Sequence, residues 1–336
     1  MNPLPLSILD LTPISAGGSS RQTLANSIAL AKMADARGFE RLWYAEHHSM
    51  PGIASTAPDL LIAHVAPHTE RIRFGAGGVM LPNHAPLRIA EAYRLLNAMH
   101  PGRIDLGLGR APGTDQRTAL ALRGSREALA RDDFPDQLDE LVAWCDGLPP
   151  GHPFRGVSAQ PDDVPLPPIW LLGSSDYSAR LAAERGYPFA FAAHFSPSPP
   201  DAPMRLYHDG FKPGVTAKPQ AILALSVFAA ETVEAAEALA LPTLLAFVLL
   251  RTGRPGRLFT LAQARAYTMT PVEQQVAAQV RATQIIGTPD QIVARMRELA
   301  TRTKASEIML TTHASDHEGR MRSFGLVADA WQRLAM

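Results

Sequence analysis

Short apolar runs alternate with amphipathic segments along the whole chain. Leu4–Leu11 is the first apolar run, and a turn-rich stretch, Pro13–Ser20, follows it. Ser19 and Gln22 have capping-box spacing, and Leu24, Ile28 and Ala31 share one face of the helix they open, which Gly38 closes. Arg41–Ala45 predicts a second strand, Ala57–Thr69 a helix and Ile72–Leu81 a third strand. Pro86 opens a helix in which Ile89, Ala92, Tyr93, Leu96 and Met99 recur at helical spacing, and Arg103–Gly109 predicts the fourth strand. Asp115–Cys145 reads as helical and Leu148–Pro168, rich in Pro and Gly, as a long surface loop. Ile169–Leu172, Phe189–Phe195, Ala221–Ala229 and Glu307–Thr311 complete a set of eight strands. The final helix sets Phe324, Val327, Ala328, Trp331 and Leu334 on one face.

Eight strands, each followed by helix, with several near-continuous apolar runs, point to parallel pairing under a helical cover. The expected architecture is α/β, a single (β/α)8 TIM barrel over residues 1–336. Residues 231–284 hold more helix than one crossover needs, which predicts an insertion after strand 7. A doubly wound open sheet is the alternative. It is weakened by the loop Pro13-Ile14-Ser15-Ala16-Gly17-Gly18, which is no G-x-G-x-x-G.

Composition narrows the function classes. Of 336 residues 46% are hydrophobic and 19% charged, enough for a sizeable core. Lys and Arg together number 32, as do Asp and Glu, so no bulk attraction to nucleic acid or an anionic membrane is expected. Cys145 is the only cysteine, which removes disulfides within the chain and Cys-based metal clusters. The first ten residues lack a basic stretch leading into an apolar run, and Leu239–Leu250, interrupted by Pro242, is too short to span a bilayer. A cytoplasmic protein is the expectation.

Chemistry in such a barrel belongs at the C-terminal ends of strands. Strand 3 contains Gly75-Ala76-Gly77-Gly78 and strand 4 sets Asp105, Gly107 and Gly109 on one face. That face either leaves room for a flat cofactor or serves tight packing. Arg110 ends strand 4, where it either binds a phosphate or makes a surface ion pair. Leu171-Leu172-Gly173-Ser174-Ser175-Asp176 runs straight into a helix, offering N–H groups and hydroxyls to a phosphate, or else simple N-capping by Ser175 or Asp176. Strand 2 ends in Glu46-His47-His48, whose adjacent imidazoles point opposite ways, so one faces the pocket as donor or base. His84, His194 and His313 lie near strand ends without metal-ligand spacing, so no metal site is signalled. Asp10, Glu46 and Asp105 are candidates for paired carboxylates.

Several of these stretches resemble the luciferase-like flavin-dependent monooxygenase family. They are Trp43–His48 with Ala54–Pro58, Gly75–His84, Gly102–Asp115, Trp170–Ser175 and Ala190–Phe195, in order along nearly the whole chain. The resemblance implies a (β/α)8 barrel with FMN, or in one branch the deazaflavin F420, at the C-terminal mouth. It implies that Arg110, Ser174, Ser175 and Tyr177 hold the phosphate. Ala76, Gly77 and Gly78 would lie by the isoalloxazine, often with a non-prolyl cis peptide, and Leu172 and Gly173 would approach the ring or ribityl chain through backbone. His47 matches a pocket histidine implicated in catalysis. Two departures, Gly109 at the reactive-cysteine position of bacterial luciferases and Gly173 at their acidic position, argue against light emission.

The implied function is a flavin-dependent monooxygenase, in which reduced FMN and O2 give a C4a-peroxyflavin that oxygenates a small organic substrate. Reduced flavin would come from a separate reductase, since no nicotinamide fingerprint is present. The alternatives are an F420-dependent oxidoreductase on the same barrel, a non-catalytic FMN-binding protein and, ranked last, a metal-dependent barrel hydrolase. A homodimer through helices 2 and 3 and a mobile lid within Leu250–Ile285 are also expected.

Overall fold

The computed structural model describes residues 4–196 and 198–333. Leu334, placed above on the final helical face, lies outside the described residues. Eight parallel strands form a closed ring. They are β1 (Leu6–Asp10), β2 (Arg41–Tyr44), β3 (Arg73–Ala76), β5 (Ile104–Gly109), β6 (Ile169–Gly173), β7 (Phe189–Ala192), β8 (Ala221–Ala229) and β10 (Glu307–Thr311). They pair in that order, and β10 pairs with both β1 and β8, which closes the barrel. The fold is the expected (β/α)8 barrel, with strands buried on both faces.

The helices that cover the ring are α1 (Ser20–Ala36), α2 (Pro58–Val65), α3 (Pro86–Met99), α4 (Gln116–Arg123), α5 (Arg126–Ala130), α6 (Phe134–Asp146), α7 (Asp176–Arg185), α8 (Asp201–Gly210), α12 (Pro289–Thr303) and α13 (His317–Arg333). Their starts follow local chemistry. Ser19 accepts from the Gln22 N–H, and Asp115 accepts from the N–H groups of Arg117 and Thr118. Two large apolar regions result, beside a small one of Phe228, Ala240 and Ala314. One lies between strands and helices and includes Ile8, Leu42, Phe74, Leu106, Phe189 and Phe324. The other fills the barrel interior with Leu9, Trp43, Trp170, Ile222 and Met309.

Below that interior layer sits a charged cluster. Arg41 donates to Glu307 at 2.8 and 2.9 Å and to Asp105 at 2.7 Å, and the Trp43 indole N–H also reaches Asp105. Asp10, fully buried, accepts instead from Arg320 and Ser27. Removing one member of such a buried cluster strands the others' charge, at a cost of about 3–5 kcal/mol. The candidate carboxylates Asp10 and Asp105 are thus committed to separate structural networks and form no acid–base pair.

The structure departs from the sequence reading in two places. The expected third strand, Ile72–Leu81, is two: β3 stops at Ala76, and β4 (Val79–Met80) resumes pairing with β5 beyond a cis peptide between Gly77 and Gly78. The insertion after the seventh barrel strand holds three helices, α9 (Val233–Arg251), α10 (Leu261–Ala266) and α11 (Pro271–Arg281). It ends in an unforeseen strand, β9 (Gln284–Gly287), which pairs with the far end of β8. Capping boxes at Thr260 and Thr270 fix the starts of α10 and α11, and Glu273 accepts hydrogen bonds from Thr270 and Tyr267. Non-helical backbone in the insertion is concentrated at 252–260. Helix α9 is long and apolar enough to cross a membrane, with mean hydropathy 1.9. Here it lies on the barrel mouth, where Thr243 donates to the His313 carbonyl.

Candidate functional site

A cavity of about 660 Å3 opens at the C-terminal mouth of the barrel, the end where barrel enzymes place their sites. Gly107, one strand step below it, is fixed by packing: a Cβ there would stand 2.0 Å from the Ala76 carbonyl oxygen. Tight packing thus accounts for Gly107, whereas Gly77, Gly78 and Gly109 line the cavity.

One side of the mouth is built from the ends of β5 and β6. Arg110 follows β5, and its guanidinium carbon lies 4.1 Å from the centre of the Tyr177 ring. Nη1 donates to Asp132 at 3.0 Å, a pair that is about half exposed and hence weak. Gly173, Ser174 and Ser175 lead from β6 into α7. At Gly173 a Cβ would lie 1.8 Å from Ser178 Oγ, so only glycine permits that close turn. Ser175 occupies the N-cap position in extended conformation, yet no side chain caps the helix. The first N–H groups of α7 keep their hydrogen-bonding capacity, with the positive end of the helix dipole behind them. A cation, two hydroxyls and uncapped N–H groups on one wall fit a phosphate.

The remaining predicted residues fall as follows. Leu172, Gly173, Ser174, Ser175 and Tyr177 line the cavity beside Gly77 and Gly78. Ala76 does not, because its side chain is wholly buried in the layer between strands and helices. His47 lines the cavity and His48 does not. The His47 Nδ1–H donates to the Gly113 carbonyl at 3.0 Å, which leaves the Nε2 lone pair free. Burial pushes the His47 imidazole below the usual histidine range, so it is neutral near neutral pH. His48 and His84 both meet Glu46 Oε1 at 2.8 Å, and the Met80 N–H donates to Glu46 Oε2 at 3.0 Å. Burial opposes the Glu46 charge, but those partners hold its carboxyl below the usual range. Glu46 thus anchors β4, and with it the Gly77-Gly78 turn, against the end of β2.

Two further imidazoles, His194 after β7 and His313 after β10, line the same cavity. Burial depresses them to about 4 and about 3. In each, Nδ1 is sealed in the wall without a partner. The sequence places both near strand ends, but only barrel closure brings them to His47. The roof comes from α9, with Phe247, Leu250 and Arg251, and from Pro255, Gly256 and Leu258. Leu258 exchanges backbone hydrogen bonds with Ile14 and Ala16 of the loop after β1.

Comparison with known proteins agrees with this geometry. The family model for luciferase-like monooxygenases matches residues 4–306. A luciferase-like monooxygenase of Escherichia coli (strain K12) is 42% identical over 332 residues, 98% of each chain. The N-acetyl-S-alkylcysteine monooxygenase of Bacillus subtilis (strain 168) is 33% identical over 328 residues, 97% of each chain. Among solved structures, apo-MsnO8 superposes with TM-score 0.88 at 33% identity, covering 98% of both chains. More distant structures share the fold. The oxygenating constituent of 3,6-diketocamphane monooxygenase from Pseudomonas putida, in complex with FMN, has TM-score 0.72 at 20% identity over 98% of both chains. An F420-dependent secondary alcohol dehydrogenase has TM-score 0.68 at 14% identity, over 98% of this chain and 99% of that one. The family match over most of the chain, with a solved relative that superposes end to end, makes this chain a member of the luciferase-like monooxygenase family.

Proposed function

We propose that this protein is an FMN-dependent monooxygenase that oxygenates a small organic substrate and receives its reduced flavin from a separate reductase. The observation that carries the reading is the wall formed by Arg110, Tyr177 and the uncapped start of α7, beside a cavity large enough for a flavin ring and a small molecule. Arg110, Ser174, Ser175 and the first N–H groups of α7 would hold the phosphate, and Tyr177 would keep the guanidinium in place by stacking. Leu172 and Gly173 would border the ribityl chain. Gly77 and Gly78 would bear on the ring, carried by the backbone that Glu46 anchors. Reduced flavin, when bound, supplies the electrons that activate O2.

The chain's own residues then do three things. The α9 roof and the 254–258 segment exclude water. His47 Nε2, unprotonated and oriented through Nδ1, accepts a proton or hydrogen bond at the reacting centre. The apolar walls hold the substrate above it. The Pseudomonas neighbour described as an oxygenating constituent supports a division of labour between oxygenase and reductase. The N-acetyl-S-alkylcysteine named for the Bacillus relative makes a thioether the first substrate to try.

The test is binding followed by turnover. Titration should show saturable binding of FMN and weaker binding of F420. With chemically reduced FMN and candidate substrates, O2 consumption should yield oxygenated product. In His47→Ala, FMN should bind as before while product per O2 consumed falls by about tenfold or more, within the range of general acid–base contributions. Retention of F420 in preference to FMN would transfer the protein to hydride chemistry. FMN binding with no product from any substrate class would make it a flavin carrier.

A further inference from the structure

The cavity wall carries two arginines, Arg110 and Arg251, and no aspartate or glutamate. The three cavity imidazoles add no positive charge near neutral pH, because burial holds each of them below the usual histidine range. The positive charge therefore comes from two points, and the chain path separates them. Arg110 stands at the ends of β5 and β6. Arg251 is in the last turn of α9. That helix leaves β8, touches the His313 carbonyl beyond β10 through Thr243, and is followed by Leu258, which is bonded to the loop after β1. In the ring, β10 and β1 are neighbours, four places round from β5 and β6 respectively. The two guanidinium groups thus belong to opposite sides of the mouth.

A basic residue in a helix's last turn offsets the helix dipole. That accounts for the residue type but not for its place on a cavity wall. Arg110 has Asp132 and Tyr177, whereas Arg251 makes no ion pair or side-chain hydrogen bond among the described residues. The same helix adds the apolar side chains of Ala246, Phe247 and Leu250 to the cavity wall.

We propose that Arg251 is a second anion-binding point, which takes the carboxylate of an anionic organic substrate whose apolar body lies along Phe247 and Leu250 toward the barrel centre. The inference rests on the flavin reading above only in assigning Arg110 to the cofactor phosphate. It makes organic acids the substrate class and disfavours amines, for which the wall has no carboxylate partner.

A matched pair of probes tests this, 4-phenylbutyrate and its neutral primary amide, titrated by calorimetry into the FMN-loaded protein. The acid should bind about fivefold or more tightly than the amide, as expected for one charge-assisted contact at a partly exposed site. Raising the salt concentration should shrink that preference. It should vanish in Arg251→Gln, persist in Arg251→Lys, and leave FMN affinity unchanged in both variants. Equal binding of acid and amide to the unaltered protein, binding of neither at millimolar concentration, or a loss of FMN affinity in Arg251→Gln would each overturn the inference. If the protein takes up no FMN, the flavin reading fails by itself, and the same acid–amide comparison on the flavin-free protein still decides the role of Arg251.

Discussion

His47 and His48, adjacent in the loop after β2, take opposite roles: one ring lines the cavity and the other meets Glu46. Arg110 has the most direct test. FMN brings close to two negative charges, and a charge-assisted hydrogen bond contributes about 1.5–3 kcal/mol. Because Arg110 is about half exposed, screening reduces this to about 1–2 kcal/mol. Arg110→Ala should weaken FMN by about tenfold and leave riboflavin, which lacks the phosphate, almost unaffected. An equal loss for both ligands, measured by flavin fluorescence, would mean that Arg110 acts only through Tyr177 and the local packing. The place of these residues on the cavity wall was legible in the sequence because Arg110 and the Ser174-Ser175 helix start each follow a strand directly. The uncapped state of Ser175 was not, since serine is also the commonest cap. His194 and His313 were visible only as lone histidines, because no local spacing records that two strand ends far apart in the chain meet across a closed ring.

At the scale of elements, the alternation of apolar runs and helical faces located all eight barrel strands, and proline with threonine marked the starts of α11 and α12. Two elements escaped the pattern, each for its own reason. The run Ile72–Leu81 reads as one strand because both halves are apolar, but Gly77 and Gly78 turn the chain into the cavity between them. Strand β9 is four residues, Gln284-Ile285-Ile286-Gly287, too short for a period of two to be distinguished from a helix end. Its existence depends on β8 running past the rim of the barrel, so that Ser226–Ala229 offer a free edge. The same insertion then supplies the cavity roof. Arg254 pairs with Glu273, and Leu258 with the loop after β1, so both ends of the 254–258 segment are tied to the body of the molecule. Opening the site at this segment would break that ion pair and those backbone bonds without melting α10 or α11.

For the whole molecule, closure of the barrel has a cost in acid stability and leaves a surface to be covered. His194 and His313 sit at about 4 and about 3 when folded, against 6.5 for the free side chain. As pH falls below 6.5 the unfolded chain binds protons that the folded one refuses, so stability must drop. The urea midpoint should fall between pH 7 and 5, above the carboxylate range, and His313→Gln should flatten that slope; a midpoint independent of pH in this window would count against neutral buried imidazoles. The surface concerns helices α2 and α3. Of their apolar side chains, Leu61, Val65, Ile89, Tyr93 and Leu96 are buried against the barrel. The same two helices instead expose Leu60, Leu95 and Met99, at 68%, 53% and 49%. Three large apolar side chains on adjoining helices are more than scattered exposure normally gives. A stable contact nonetheless needs about 800 Å2 per partner, so the flanking polar surface of both helices must take part. We therefore expect a homodimer through α2 and α3, sedimenting as such at micromolar concentration. Leu60→Glu combined with Leu95→Glu should return it to monomer with FMN affinity intact, because neither residue reaches the cavity. A monomeric unaltered protein, or a dimer indifferent to both charges, would place any subunit contact elsewhere on the barrel.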